Sequence, residues 1–344
     1  MTRQAFWPMR QTQRRWWWSA RFTGYALACS LLVLASEARG QSSSALADLL
    51  PAGLFNYGLP TSVDGDGAWR NSDGGEFTPV RNYLATLAHS DWTLQWMPDS
   101  LLFRPYMAGV KEPRLASVWS SEKDFGATWD IALGGRVGVL RYGSDEGAHS
   151  EGWQLDLGGA AFPRLDPDGE STPVIAVDFR ADVFLTRAIG PWHFRFGYYH
   201  LSSHLGDEFM LQNPGAFTRI NYTRDALVFG AGYYWTDALR LYGEVGYAAG
   251  IGGGAKPWEV QFGIDFSPPH TGLQGSPFAA VNAHLREEVD YGGNLVVQAG
   301  WQWRQGANGR TFRFGFQYFN GMSDQYEFFE DYESKVGGGL WFDY

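Results

Sequence analysis

The chain has almost no cysteine. Cys29 is the only cysteine among its 344 residues, and it lies in a segment that we expect to be removed. The mature protein would then contain none, which excludes disulfide bridges and thiolate chemistry. The sequence after residue 40 also lacks an apolar run of the roughly 20 residues that a membrane-spanning helix needs.

Positive charge is scarce as well. The formal net charge is −10, and residues 1–40 contain six Arg and one Glu, so removing them leaves the mature chain at −15. A charge of this sign and size argues against nucleic acid as a partner.

Residues 1–40 have the pattern of a secretory signal peptide. A basic stretch precedes an apolar core at residues 25–35, and Ala38 and Gly40 then supply small residues three and one positions before Gln41. This order predicts export and cleavage before Gln41. A lipoprotein signal at Cys29 fits poorly, because apolar residues continue after the cysteine.

Aromatic residues and glycine are abundant instead. Aromatics make up 17% of the chain, glycine accounts for 44 residues, and the mean hydropathy is −0.28. A membrane β-barrel has this composition, because aromatics face lipid, polar residues face the lumen, and glycine occurs where strands curve.

From Arg114 onward, about twelve segments of strand length alternate between apolar and polar residues. Such a period of two places the apolar residues on one face of a strand. The polar face carries Asp, Glu, Arg, Gln and Gly, with both charge signs interleaved, whereas a soluble β-sandwich would carry many Lys, Ser and Thr there. We therefore predict an all-β fold, a transmembrane antiparallel β-barrel of about 12 strands. Clear examples are residues 129–139, 153–157, 175–185, 239–247, 258–266, 295–303 and 312–318.

The last segment is typical of bacterial outer-membrane barrels. Val336, Leu340, Phe342 and Tyr344 share one parity, and the sequence ends on an aromatic residue. This resemblance implies an outer-membrane location and recognition of the C-terminal strand by the barrel assembly machinery.

The chain divides into three parts by pattern: a signal peptide at 1–40, a weakly alternating segment at 41–113, and the barrel at 114–344. The middle segment could be a periplasmic extension, a plug of the lumen or a tether. If both termini are periplasmic, the turns at 188–191 and 236–238 are short, and the outward loops at 205–216 and 321–333 are long, as expected for such barrels. The connection at 267–276 would be an unusually long periplasmic turn.

Five stretches of sequence resemble an uncharacterised family of Gram-negative envelope proteins that is known only as a domain of unknown function. The resemblance spans most of residues 95–344, implies an outer-membrane location and implies no activity. The stretches are WQLD at 153–156, YYHLSSHLGDEF at 198–209, RINY at 219–222, HLREE at 284–288 and WQWR at 301–304.

One strand continues its lipid-facing row with polar residues. The parity of the apolar row at 192–198 leads to His200, Ser202 and His204, and the parity of the next strand leads to Asn221, Thr223 and Asp225. Two residues along a strand separate β-carbons by about 7 Å, which suitable rotamers can close to a hydrogen bond. A serine activated by a histidine that a third group orients is a nucleophile.

His-x-Ser on one strand with Asn on the next resembles the outer-membrane phospholipase A family, a twelve-stranded barrel. The resemblance implies that His200 is the general base, Ser202 the nucleophile and Asn221 the orienting residue. It also implies calcium near the site, with Asp207 and Glu208 as ligands, and activity as a homodimer. This sequence departs from the family where Asn and Gly should follow the serine, since it has Ser203 and His204.

Three functions remain open at this point. The protein could be a lipid-facing serine hydrolase that cuts acyl chains from phospholipid or lipid A. It could be a channel for small solutes, although arginine and glutamate would crowd a lumen of about twelve strands. It could also be a non-catalytic envelope protein whose long loops bind a partner, with His200, Ser202 and His204 as a polar rim in contact with lipid headgroups.

Overall fold

A computed structural model of the chain describes residues 62–63, 69–70, 92–122, 126–144, 150–215, 217–269, 271–305 and 309–344. The predicted signal peptide at 1–40 lies outside these residues, and so does most of 41–91. Among the described residues, no helix is long and apolar enough to cross a membrane, a finding that says nothing about crossing by β-strands.

The described chain is almost entirely β-strand. The two shortest strands, β1 and β2, pair only with each other. The strands are β1 (Ser62–Val63), β2 (Trp69–Arg70), β3 (Thr93–Trp96), β4 (Leu115–Glu122), β5 (Gly126–Gly143), β6 (Gly152–Leu165), β7 (Val174–Ile189), β8 (Trp192–Leu205), β9 (Thr223–Tyr234), β10 (Leu239–Gly252), β11 (Trp258–Phe266), β12 (Ser276–Arg286), β13 (Gly292–Arg304), β14 (Thr311–Met322) and β15 (Tyr332–Asp343). Three short helices interrupt the loops: α1 (Asp207–Gln212) and 3₁₀ turns at Glu287–Val289 and Tyr326–Phe328.

Twelve antiparallel strands, β4 to β15, form a closed barrel. Each strand pairs with the next along the chain, and β15 returns to pair with β4, where Val336 lies opposite Ser121 and Phe342 opposite Leu115. The predicted fold, a barrel of about twelve strands, is confirmed. Closure leaves the barrel no free edge, so strand-to-strand hydrogen bonds satisfy its backbone groups within lipid.

The alternation of the sequence separates the two surfaces of the barrel. Large apolar side chains such as Leu157, Phe229, Phe262 and Phe316 are exposed on the outside, whereas the polar side chains between them are buried inside. Arg136 is one of these inward residues and is 2% exposed. Apolar residues outside and charged residues inside are the distribution of a membrane barrel.

The described residues just before the first barrel strand lie inside the lumen. β3 pairs with the end of β5, and the following segment, which we call the lumen segment (residues 100–114), is almost completely buried. Its backbone carbonyls accept hydrogen bonds from arginines of the barrel wall: Arg141 binds the Ser100 oxygen at 2.7 Å, and Arg240 binds the Arg104 oxygen at 2.7 Å.

Charges of the lumen segment pair with charges of the wall. Glu112 accepts from Arg136 of β5 at 3.2 Å and from Arg195 of β8 at 2.8 Å, and Lys111 lies 2.7 Å from Asp178 of β7. A buried charge is costly unless it is paired and hydrogen-bonded. The lumen segment therefore holds its position because it completes ion pairs that the wall alone would leave incomplete.

The two ends of the barrel differ in their connections. We call the end that holds Leu115 and Asp343 the terminal end, and the opposite end the loop end. The terminal end has the short turns at 190–191 and 235–238, and it also has the long connection at 267–275. The loop end has the long connections at 206–222 and 323–331. These connections lie at the ends that the sequence predicts, but the contrast has further exceptions, since the terminal end also has an eight-residue connection at 144–151 and the loop end has a five-residue one at 253–257.

Replacing Glu112 with alanine should lower the free energy of unfolding by about 3 kcal/mol, because two buried guanidinium groups each lose one carboxylate partner. Unfolding in urea, followed by tryptophan fluorescence, measures this difference. Glu170→Ala is the control, since Glu170 is exposed in the connection between β6 and β7 and should change stability by less than about 0.5 kcal/mol. Equal stability of Glu112→Ala and the parent would contradict the role of the lumen segment.

Candidate functional site

A row of polar side chains lies on the outer surface of β8 near the loop end. His200, Ser202 and His204 are partly exposed on the outside, while Leu201 and Ser203 between them are buried toward the lumen. The structure therefore places the three polar residues on the face that the alternation predicts.

This polar row begins where a band of aromatic residues ends. Tyr198 lies opposite Leu227, Leu227 opposite Tyr247, and Tyr247 opposite Trp258, so three aromatic side chains and one leucine follow a line of ladder pairs across four strands. Tyrosine and tryptophan concentrate at the boundary between hydrocarbon and headgroups. His200 is two residues beyond Tyr198, so we expect the polar row to lie near the lipid headgroups.

Asp225 of β9 is the partner of His200. The two residues lie directly opposite each other in the β8–β9 ladder, and His200 Nδ1 is 2.8 Å from Asp225 Oδ1. The Tyr198 hydroxyl donates to the same carboxylate oxygen. The His200 and Asp225 side chains are 44% and 37% exposed. A carboxylate can only accept here, so the hydrogen bond holds the proton on Nδ1 and leaves Nε2 as an acceptor.

Asn221 lies outside the ladder, two residues before β9 begins. Its backbone has a φ of +51°, and its N–H donates to the Glu327 carboxylate at 3.1 Å. Within the described chain its side chain makes no hydrogen bond to His200. The structure thus brings His200 and Ser202 together on one face but gives His200 a different partner from the residue predicted. The alternation predicts that Asp225 faces the outer surface. Which residue of β9 lies opposite His200 depends on the register of the two strands, and the long connection 206–222 sets that register.

The cross-strand neighbour of Ser202 on β9 is a second hydroxyl residue. Thr223 lies directly opposite it in the ladder, at the outer surface of β9. The backbone N–H that follows Ser202 is already engaged, because Ser203 N–H donates to the Tyr222 oxygen at 3.0 Å. The Ser203 N–H is therefore not free to donate to a group that develops negative charge beside Ser202.

Asp207 and Glu208, the predicted calcium ligands, form the first turn of α1 and are exposed. Among the residues that the structure describes, no three His, Cys, Asp or Glu side chains gather in an arrangement that could hold a metal ion. Among the described residues, the side chains around α1 thus give a metal no complete set of protein ligands.

Solved outer-membrane barrels have a similar fold at low sequence identity. The Salmonella typhi outer membrane phospholipase dimer with bound calcium is 12% identical, with a TM-score of 0.47 over 67% of this chain and 90% of that chain. Outer membrane phospholipase A from Escherichia coli is 11% identical, with a TM-score of 0.43 over 67% and 92%. The KdgM porin is 10% identical, with a TM-score of 0.38 over 67% and 98%. These likenesses concern the barrel architecture alone.

No curated protein matches the sequence. A family model described as a protein of unknown function, DUF1207, matches residues 83–344, which include the lumen segment and every strand of the barrel. This match confirms the resemblance to an uncharacterised family that the sequence indicates. The chain belongs to the DUF1207 family.

Proposed function

We propose that this protein is an outer-membrane acyl ester hydrolase that acts on lipid from the outer surface of its barrel. The observation that carries the proposal is the hydrogen bond of 2.8 Å between His200 Nδ1 and Asp225 Oδ1, with Ser202 two residues from His200 on the same face. Serine, histidine and aspartate in this order supply a nucleophile, its base and the group that orients the base.

The proton follows a simple route in this arrangement. His200 Nε2 accepts the proton of the Ser202 hydroxyl as its oxygen attacks the ester carbonyl, and Asp225 stabilises the imidazolium that forms. His200 then gives the proton to the departing alcohol as the ester bond breaks. A water molecule releases the fatty acid from the acyl-serine in a second cycle of the same base.

We assign the stabilisation of the developing oxyanion to the hydroxyl of Thr223, which lies opposite Ser202 in the ladder. Residues directly opposite each other in an antiparallel pair have α-carbons about 4.5–5.5 Å apart, so the Thr223 hydroxyl is within reach of an oxygen bound at Ser202. This role falls to a side chain because the Ser203 N–H is already bonded to Tyr222.

The position of the site supports lipid as the substrate. The row is on the outer surface, next to the aromatic band of Tyr198, Tyr247 and Trp258, where lipid of the surrounding membrane can reach it directly. An outer-membrane location follows from the barrel type and from the predicted signal peptide. Cleavage of that peptide, recognition by the barrel assembly machinery, the homodimer and calcium stay predictions.

The lumen supports a channel less well. The lumen segment is held inside it by ion pairs to the wall, among them Glu112 to Arg195 of β8 and Lys111 to Asp178 of the neighbouring β7. The cavity beside Lys111 and Asp324 measures about 40 Å³, which is room for ordered water but not for a solute.

Replacing Ser202 with alanine should lower hydrolysis by about 10³-fold or more, because no other group of the site can form the acyl intermediate. Release of fatty acid from mixed phospholipid micelles by the refolded full chain, with calcium and with a chelator, measures it. Ser121→Ala is the control, since Ser121 is exposed on the outer face of β4 at the same end of the barrel. Hydrolysis by Ser202→Ala at the parental rate would refute the proposal.

Asp225→Asn and Asn221→Ala separate the two candidates for the orienting residue. Asp225→Asn should lower kcat by about 10²-fold to 10⁴-fold, because an amide can stabilise the wrong tautomer of His200 and cannot balance its positive charge. Asn221→Ala should leave kcat within about twofold of the parent if Asp225 alone orients the base. The opposite pattern would return the role to Asn221.

A further inference from the structure

Arg219 is an exposed cation without a carboxylate partner among the described residues. Its Nη2 donates to His204 Nδ1 at 2.6 Å. The arginines inside the barrel differ, because Arg136 and Arg195 each lie close to two carboxylates. Among the described residues, no carboxylate lies within 4 Å of the Arg219 guanidinium, so this cation forms no ion pair there.

His204 adds a second donor to the same place. A guanidinium can only donate, so the His204 Nδ1 that receives its hydrogen bond is unprotonated, and the ring proton lies on Nε2. The ring also packs against Phe179, with ring centres 5.8 Å apart. One arginine fork and one imidazole N–H therefore lie together on the outer surface of the loop end.

The backbone beside Arg219 is held in place. The Glu327 carboxylate accepts from the N–H groups of Ile220 at 3.0 Å and of Asn221 at 3.1 Å. The Glu327 N–H in turn donates to the Ser203 hydroxyl at 3.0 Å, which connects the loop at 323–331 to β8. These bonds connect the residues next to Arg219 to the strand that carries His204. The Arg219 guanidinium and the His204 imidazole are therefore held together on one surface.

We propose that Arg219 and His204 bind the phosphate group of a membrane lipid at the loop end. The arginine fork matches two phosphate oxygens. Arg219 forms no ion pair among the described residues, and lipid phosphates are available at the level of the headgroups, where we expect this surface to lie. The phosphate could belong to a phosphomonoester of the lipid A type or to the phosphodiester of a glycerophospholipid. His204 is two residues from Ser202, so a bound phosphate would hold the lipid beside Ser202, but the binding itself needs no hydrolysis.

The test uses the full chain carrying Ser202→Ala, so that no lipid is consumed, in a neutral detergent. Native mass spectrometry follows the binding of phosphatidic acid, phosphatidylglycerol and diacylglycerol with identical acyl chains. Phosphatidic acid represents the monoester, phosphatidylglycerol represents the diester, and diacylglycerol has no phosphate. Arg219→Gln is compared with Lys256→Gln, which removes the same charge from an exposed residue at the same end of the barrel.

We expect Arg219→Gln to weaken binding of a phosphate-bearing lipid about tenfold, with diacylglycerol unchanged and Lys256→Gln equal to the parent. His204→Ala should also weaken binding of the phosphate-bearing lipid and leave diacylglycerol binding unchanged, with a smaller effect than Arg219→Gln. If Arg219→Gln weakens binding of phosphatidic acid alone, the ligand is a phosphomonoester. If it weakens binding of both phospholipids, the site accepts any lipid phosphate. Equal binding of all three lipids, or equal losses in Arg219→Gln and Lys256→Gln, would overturn the proposal. Since the readout is binding, its result is independent of whether Ser202 is a nucleophile.

Discussion

The backbone of a strand in lipid must find all its hydrogen-bond partners within the protein, and the architecture depends on this constraint. The pairing of β15 with β4 meets it by joining the last barrel strand to the first. Once the sheet is closed, every side chain must face either lipid or the lumen. The strict alternation of the sequence is the consequence, with apolar residues exposed outside and charged residues buried inside.

Closure creates a second problem in the lumen. Arginines such as Arg136 and Arg195 are removed from water and need carboxylates or carbonyls at short distance. The wall supplies some of these groups, and the lumen segment supplies the others through Glu112 and its backbone oxygens. The barrel and the lumen segment thus form one electrostatic unit.

The outer surface departs from its apolar pattern mainly at its margins. Polar side chains on a lipid-facing strand would be costly at the centre of the bilayer, but they cost little at the level of the headgroups. His200, Ser202 and His204 continue the outer row of β8 beyond Tyr198, and Asp225 and Arg219 meet this row from β9 and from the preceding loop. The row thus combines a histidine–aspartate pair with an arginine that forms no ion pair among the described residues.

The sequence by itself determined the strands and the face that each side chain takes, because a period of two is a local property of the chain. That is why the outward direction of His200, Ser202 and His204 could be read without a structure. Only the tertiary structure decided which residue faces His200. The register of β8 against β9 depends on the path of residues 206–222, and it places Asp225 in the ladder and Asn221 beyond its end. Tertiary contacts likewise determine where residues 100–114 lie, because their ion pairs join groups that are far apart in the sequence and meet only after the barrel closes.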